Sequence, residues 1–143
     1  MYQRTEIIGI VGKDPVVATA KNGKKTSTFP VAVNRKFGNG EQETAWFRVT
    51  VWEKTADFIE KYCQKGTRIF CEGRLACDPV TYGPKVYQRQ DGTYAASFDL
   101  LASAVKMISN YKSEASDKVL EQAQQKAQQQ QTVSTMDDLD IPF

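Results

Sequence analysis

The segment Thr44-Ala45-Trp46-Phe47-Arg48-Val49-Thr50-Val51-Trp52 constrains the fold more than any other stretch of this chain. Successive side chains of a β-strand point to opposite faces, so its alternation sorts the residues into two unlike sides. Ala45, Phe47, Val49 and Val51 make an apolar face for a core, while Thr44, Trp46, Arg48, Thr50 and Trp52 face the other way. Both tryptophans of the protein therefore stand among polar and basic neighbours. Segment 67–77 repeats the arrangement, with Ile69, Cys71, Leu75 and Cys77 on one side and Arg68, Phe70, Glu72 and Arg74 on the other.

The same period of two, punctuated by turn signals, predicts strands over 5–12, 16–20, 26–37, 43–52, 67–77 and 93–108, with a short one near 84–90. Lys13-Asp14-Pro15, Lys21-Asn22-Gly23-Lys24 and Gln90-Asp91-Gly92-Thr93 are the turns, the last two of the Asn-Gly and Asp-Gly hairpin type. One helix interrupts, from Lys54 to Lys65: Ala56, Ile59, Tyr62 and Cys63 share a face, Asp57 lies early, Lys61 and Lys65 lie late, and Gly66 is a natural stop. This element order is that of an all-β protein, a five-stranded Greek-key barrel of the OB type with one helix. In the first strand, Ile7-Ile8-Gly9-Ile10-Val11, both parities are apolar, which predicts cover on both faces and makes self-association plausible.

At 143 residues the chain suits one compact domain plus a tail. No apolar run approaches the ~20 residues of a membrane-spanning helix, and the start carries no secretion-signal pattern, so neither a membrane nor a secretory destination is expected. The absence of histidine removes the commonest general base and metal ligand, and no acid–base pair sits on a recognisable scaffold. No catalytic residue, metal or cofactor is expected. Cys63, Cys71 and Cys77 include no CxxC pair and read as reduced, buried small hydrophobes.

Charge divides the chain. Residues 1–112 hold 17 basic and 11 acidic side chains, net +6, whereas residues 113–143 hold 2 and 6, net −4. A basic body points to a polyanion partner. From Ser113 the composition turns to Gln, Ser, Ala and Glu, with too few large apolar residues for a core. Domains are thus expected at 1–112 (folded body), 113–135 (disordered Gln-rich linker, in which Val119, Leu120, Ala123 and Ala127 have partial helical spacing) and 136–143 (acidic tip).

Rings interleaved with cations on a sheet face suit a nucleic-acid single strand, whose bases stack on aromatics while Lys and Arg neutralise phosphate. The stacking candidates are Trp46, Trp52 and Phe70, with Phe37, Tyr82 and Tyr87 in or near loops. The phosphate candidates are Lys21, Lys24, Lys25, Arg35, Lys36, Arg48, Lys54, Arg68, Arg74, Lys85 and Arg89. Packing of Trp46, Trp52 or Phe70 against a neighbouring subunit or beneath a loop is the competing reading, against which the +6 body weighs. Tyr62, Tyr94 and Phe98 have apolar neighbours and are assigned to the core. At the tip, Asp137, Asp138 and Asp140 precede Ile141, Pro142 and Phe143, a hydrophobic ending suited to docking in a partner's apolar pocket with a basic rim.

Together these residues resemble the bacterial-type single-stranded DNA-binding protein family. Gly9-Ile10-Val11-Gly12-Lys13-Asp14-Pro15 is similar to its opening G-N-L-G-x-D-P, and Phe29-Pro30-Val31-Ala32-Val33-Asn34-Arg35-Lys36-Phe37 to its F-x-L-A-V-N-R segment ending in an aromatic. The segment from Trp46 to Lys54 resembles W-h-x-V-x-x-[FW]-x-K, and that from Lys65 to Leu75 resembles K-G-x-x-V-x-[IV]-E-G-x-L. The ending Asp137-Asp138-Leu139-Asp140-Ile141-Pro142-Phe143 is close to the D-D-D-I-P-F tip. Ile10 departs from the usual asparagine, and Val80, with Tyr82 and Tyr87 nearby, falls where the family has a further stacking tryptophan.

The resemblance implies base stacking by Phe37, Trp46 and Trp52, a homotetramer formed through the first strand, and capture of replication, recombination and repair proteins by the tip. It also implies action in the bacterial cytoplasm or nucleoid, as a housekeeping, plasmid or phage protein. Two other readings compete: an OB-type protein-interaction module of a replication complex, and a cold-shock-like RNA-binding protein.

Overall fold

A computed structural model describes residues 1–109 and 121–126. Its strands are β1 (Thr5–Val11), β2 (Val16–Thr19), β3 (Lys25–Lys36), β4 (Gln42–Trp52), β5 (Arg68–Leu75), β6 (Val86–Gln88), β7 (Tyr94–Ala96) and β8 (Phe98–Ser109), with helix α1 (Glu53–Tyr62) between β4 and β5. Neighbours run β1-β5-β8-β4-β3, and β1 pairs again with β3, so five strands close on themselves. All these pairings are antiparallel except β4 with β8. This is the expected OB-type barrel with one helix. β2 extends the sheet beyond β3, and β6 and β7 form a separate hairpin.

The alternating residues fill the interior. Val49 and Val51 of β4 meet Phe29 and Val31 of β3, Ile7 and Val11 of β1, Ile69 and Cys71 of β5, and Leu100 of β8. Ala56 and Ile59 of α1, with Cys63 just past its end, close the barrel's end. Two glycines admit close backbone crossings: a Cβ at Gly73 would overlap the Leu101 carbonyl oxygen of β8, and one at Gly9 would overlap that of Ala32 in β3. The Asn22-Gly23 and Asp91-Gly92 turns form as expected, with both glycines at positive φ, +80° and +87°.

Several expectations are corrected. The strand expected over 93–108 breaks at Ser97, where the hydroxyl donates to the Asp99 carboxylate at 2.7 Å; β7 then serves the hairpin and β8 the barrel. Tyr62, Tyr94 and Phe98 are exposed, not core. Phe98 stacks on Phe47 with centroids 5.4 Å apart, an open-sided contact at the barrel's rim. β5 ends at Leu75, so Leu75 and Cys77 lie outside the core, whereas Cys63 and Cys71 are buried as expected. The first strand is covered on both faces only in part: Ile10 is 7% exposed but Ile8 is 55% exposed. The helix ends at Tyr62, three residues short of Lys65.

Within the region expected as a linker, residues 121–126 are helical, with Ala123 buried and the Lys126 ammonium donating to the Gln42 carbonyl at 2.6 Å. The acidic tip and the rest of the tail lie outside the described residues.

Candidate nucleic-acid interface

Directly opposed residues of an antiparallel pair share a sheet face, so the registers show which side chains lie together outside the barrel. Arg68 pairs with Ile10, Ile10 with Ala32, and Ala32 with Trp46, one row across β5, β1, β3 and β4. Two residues along, Lys106 pairs with Phe70 and Phe70 with Ile8. Trp46 packs on Ile10 and Ala32 outside the main core. Its ring also lies over Gly12, where a Cβ would stand 2.6 Å from the indole Cζ3. The indole is thus half-buried, seated on a small-residue platform with its position set from beneath.

From Trp46 the outward face of β4 continues through Arg48 and Thr50 to Trp52, six residues further along the strand or about 20 Å away. Small residues of β3 oppose it: Ala32, Pro30, Thr28 and Thr26. Trp52 is half-buried in a groove of about 570 Å³ that also involves Tyr2, Arg4, Glu72, Arg74 and Ser103. Arg4 pairs there with Glu72. The stacking candidates therefore fall into a platform around Trp46, Phe70 and Arg68, and a groove around Trp52 and Arg74, joined along β4 by Arg48.

Phe37 lies just past β3, exposed at the tip of the β3–β4 hairpin, with the Arg35 guanidinium 5.9 Å from its ring centroid. Tyr82 is 81% exposed and has φ +59° in a loop organised by Asp78, whose carboxylate accepts the Val80 and Thr81 backbone N–H groups at 2.8 and 3.0 Å. Those bonds to Thr81 and Val80 hold the Asp78 carboxyl below its usual range. Tyr87 is half-buried in β6, its hydroxyl enclosed without a hydrogen-bond partner among the described residues. The hairpin carrying it stands apart from the β4 strip in the pairing scheme.

The phosphate candidates differ in availability. Lys25 is tied to α1 by Asp57, at 2.6 Å, and by Glu60, and these bonds raise its pKa. Lys24 stands 3.7 Å from Glu53, and Lys85 stands 3.7 Å from Asp99. Arg89 is half-buried, its Nε enclosed without a partner among the described residues. Lys21, Lys36, Arg48, Lys54, Arg68 and Arg74 are exposed. Sequence reasoning missed the Lys25 pairs, although the acidic side chains at 53, 57 and 60 share a helical face and were a readable signal. Among the described residues no cluster of three or more Cys, Asp or Glu could hold a metal ion, and no helix is long and apolar enough to cross a membrane.

The model of the single-strand binding protein family matches residues 2–108. This chain belongs to that family. Relatives include the single-stranded DNA-binding protein 2 of Staphylococcus aureus strain Mu50, 32% identical over 110 residues that cover 76% of this chain and 73% of the relative. The single-stranded DNA-binding protein 1 of S. aureus strain MSSA476 is 29% identical over 147 residues, covering 100% of this chain and 90% of the relative. The single-stranded DNA-binding protein of Bacillus cereus is 32% identical over 110 residues, covering 76% of this chain and 61% of the relative. Family membership agrees with the reading of a binding protein rather than an enzyme, and the matched span covers the barrel except for the last residue of β8.

Proposed function

We propose that this protein binds single-stranded DNA irrespective of sequence and protects it during replication, recombination and repair. The observation that carries this reading is the outward strip of β4, in which Trp46 and Trp52 flank Arg48 and Thr50 beside a row of small residues that leaves room for a chain. In this reading bases stack on Trp46, Trp52, Phe70 and Phe37, with Tyr82 and Tyr87 at the periphery. Phosphates pass Arg48, Arg68, Arg74, Lys36, Lys54, Arg35 and Lys21, while Lys24, Lys25, Lys85 and Arg89 contribute less because protein groups already engage or enclose them. A duplex would present no free base faces to the rings.

Self-association into a homotetramer belongs to the same proposal, and the exposed Ile8 beside Phe70 on β1 and β5 supports it. The tip, through Asp137, Asp138, Asp140, Ile141, Pro142 and Phe143, recruits replication, recombination and repair proteins. The deciding experiment titrates the full chain with single-stranded DNA, RNA and duplex of equal length at equal salt, reading tryptophan fluorescence. Single-stranded DNA is expected to quench strongly and bind tightest. Equal affinity for duplex, or no quenching, overturns the stacking assignment, and preference for RNA moves the protein to the RNA-binding reading.

A further inference from the structure

Helix α1 has three faces. Ala56 and Ile59 point into the barrel, while Glu53, Asp57 and Glu60 engage Lys24 and Lys25. Lys54, Phe58, Lys61 and Tyr62 recur at the spacing of a third, solvent-facing stripe. Phe58 and Tyr62 touch, with centroids 5.2 Å apart and planes tilted by 49°, yet remain 38% and 49% exposed. The Lys61 ammonium sits 5.4 Å from the Tyr62 centroid. Among the described residues neither Lys54 nor Lys61 is in an ion pair, and Lys65 just beyond the helix is exposed and equally unpaired.

We infer that this stripe is a second contact surface for the same single strand, which leaves the sheet at Trp52 and crosses the outside of α1. The inference rests on the function proposed above. Thr55 connects the two regions, since it belongs to α1 and lines the groove that holds Trp52. The helix's acidic groups are gathered on the face toward β3, where Lys25 neutralises two of them, so a phosphate chain meets cations and rings without an opposing carboxylate row. A second copy of the chain fits this surface less well. A two-fold contact would bring the same lysines face to face at close range. A strand instead supplies phosphate to Lys54, Lys61 and Lys65 and bases to the two rings; as Lys61 pairs with phosphate, it frees the Tyr62 face it covers.

The test uses the full chain and two oligothymidylates, one of roughly 8 nucleotides, within the span of a single OB barrel, and one of roughly 40. The double variant Phe58→Ala/Tyr62→Ala is expected to bind the short oligomer like wild type, with the same tryptophan quenching, and to bind the long one about tenfold more weakly. Lys61→Gln is expected to make the log–log salt slope for the long oligomer shallower by about 0.7. Unchanged affinity and slope for the long oligomer, in variants that still quench with the short one, overturn the helix surface and leave the sheet site standing. A wild-type protein that quenches with neither oligomer overturns the single-strand reading and this surface with it. Circular dichroism of the variants confirms that the exposed substitutions leave the barrel folded.

Discussion

Trp46 lies where it does because residue 12 has no side chain. A methyl group at Gly12 would come within 2.6 and 3.0 Å of two indole carbons. Gly12→Ala is therefore expected to lift the Trp46 ring, which a shifted emission maximum in a Trp52→Phe background would report, and to weaken single-strand binding by about 1 kcal/mol with little loss of barrel stability. The cysteines give a second test at this scale. Burial pushes the Cys63 thiol up to about 11 and the Cys71 thiol up to about 12, from an ordinary value of 9.0, while Cys77 is exposed. Only Cys77 should react with a thiol reagent in the native state, and all three after unfolding. Because the fold holds the two buried thiols protonated, it binds more protons than the unfolded chain between pH 9 and about 12. Their contribution to stability is complete below pH 9 and falls as pH rises through that window, which denaturant titrations at several alkaline pH values would show.

At the scale of elements, the junction between β4 and α1 carries strain. Glu53, the first helical residue, has φ +53°, and no side chain caps the helix at Trp52. Glu53→Gly is expected to stabilise the protein by about 1 kcal/mol, since the surface ion pair it removes, at 3.7 Å to Lys24, contributes little. At the β5–β8 crossing the opposite holds. Gly73→Ala would force a Cβ onto the Leu101 carbonyl and within 2.8 Å of Ala102 Cα, and is expected to cost about 2–3 kcal/mol, measured by thermal or denaturant unfolding. Most of this architecture was legible because it follows from alternation: β1, β3 and β4, read from periodicity, lie within one residue of the observed bounds. Errors gathered where tertiary contacts override alternation. Ser97 diverts the chain between two sheets, and Tyr62, Tyr94 and Phe98 are exposed although apolar neighbours such as Ile59, Cys63 and Leu100 are buried. The outward Trp46 and Trp52 were visible from parity alone. The platform under Trp46 was not, since it depends on Gly12 and Ile10 arriving from a different strand.

For the whole molecule, charge organises the expectations. The net +6 of residues 1–112 and the net −4 of residues 113–143 attract each other at low salt. Deleting residues 136–143 is expected to preserve or slightly tighten DNA binding while abolishing capture of partner enzymes, with removal of Phe143 alone having most of that effect. A pull-down performed without DNA checks this; recovery of the same partners by the shortened protein would show that the tip docks nothing.

The last strand of the barrel, β8, lies between β4 and β5, and β1 bridges β3 and β5. A growing chain can therefore assemble the β3–β4 hairpin early, but it cannot finish the barrel until Ser109 has been made. Until then β4 and β5 each keep an unpaired edge, with Val49 and Cys71 near solvent rather than in a core. During synthesis the unfinished protein is thus a sticky open sheet whose hazard ends in a single late closure, and premature termination inside β8 would yield an aggregating fragment rather than a smaller working domain.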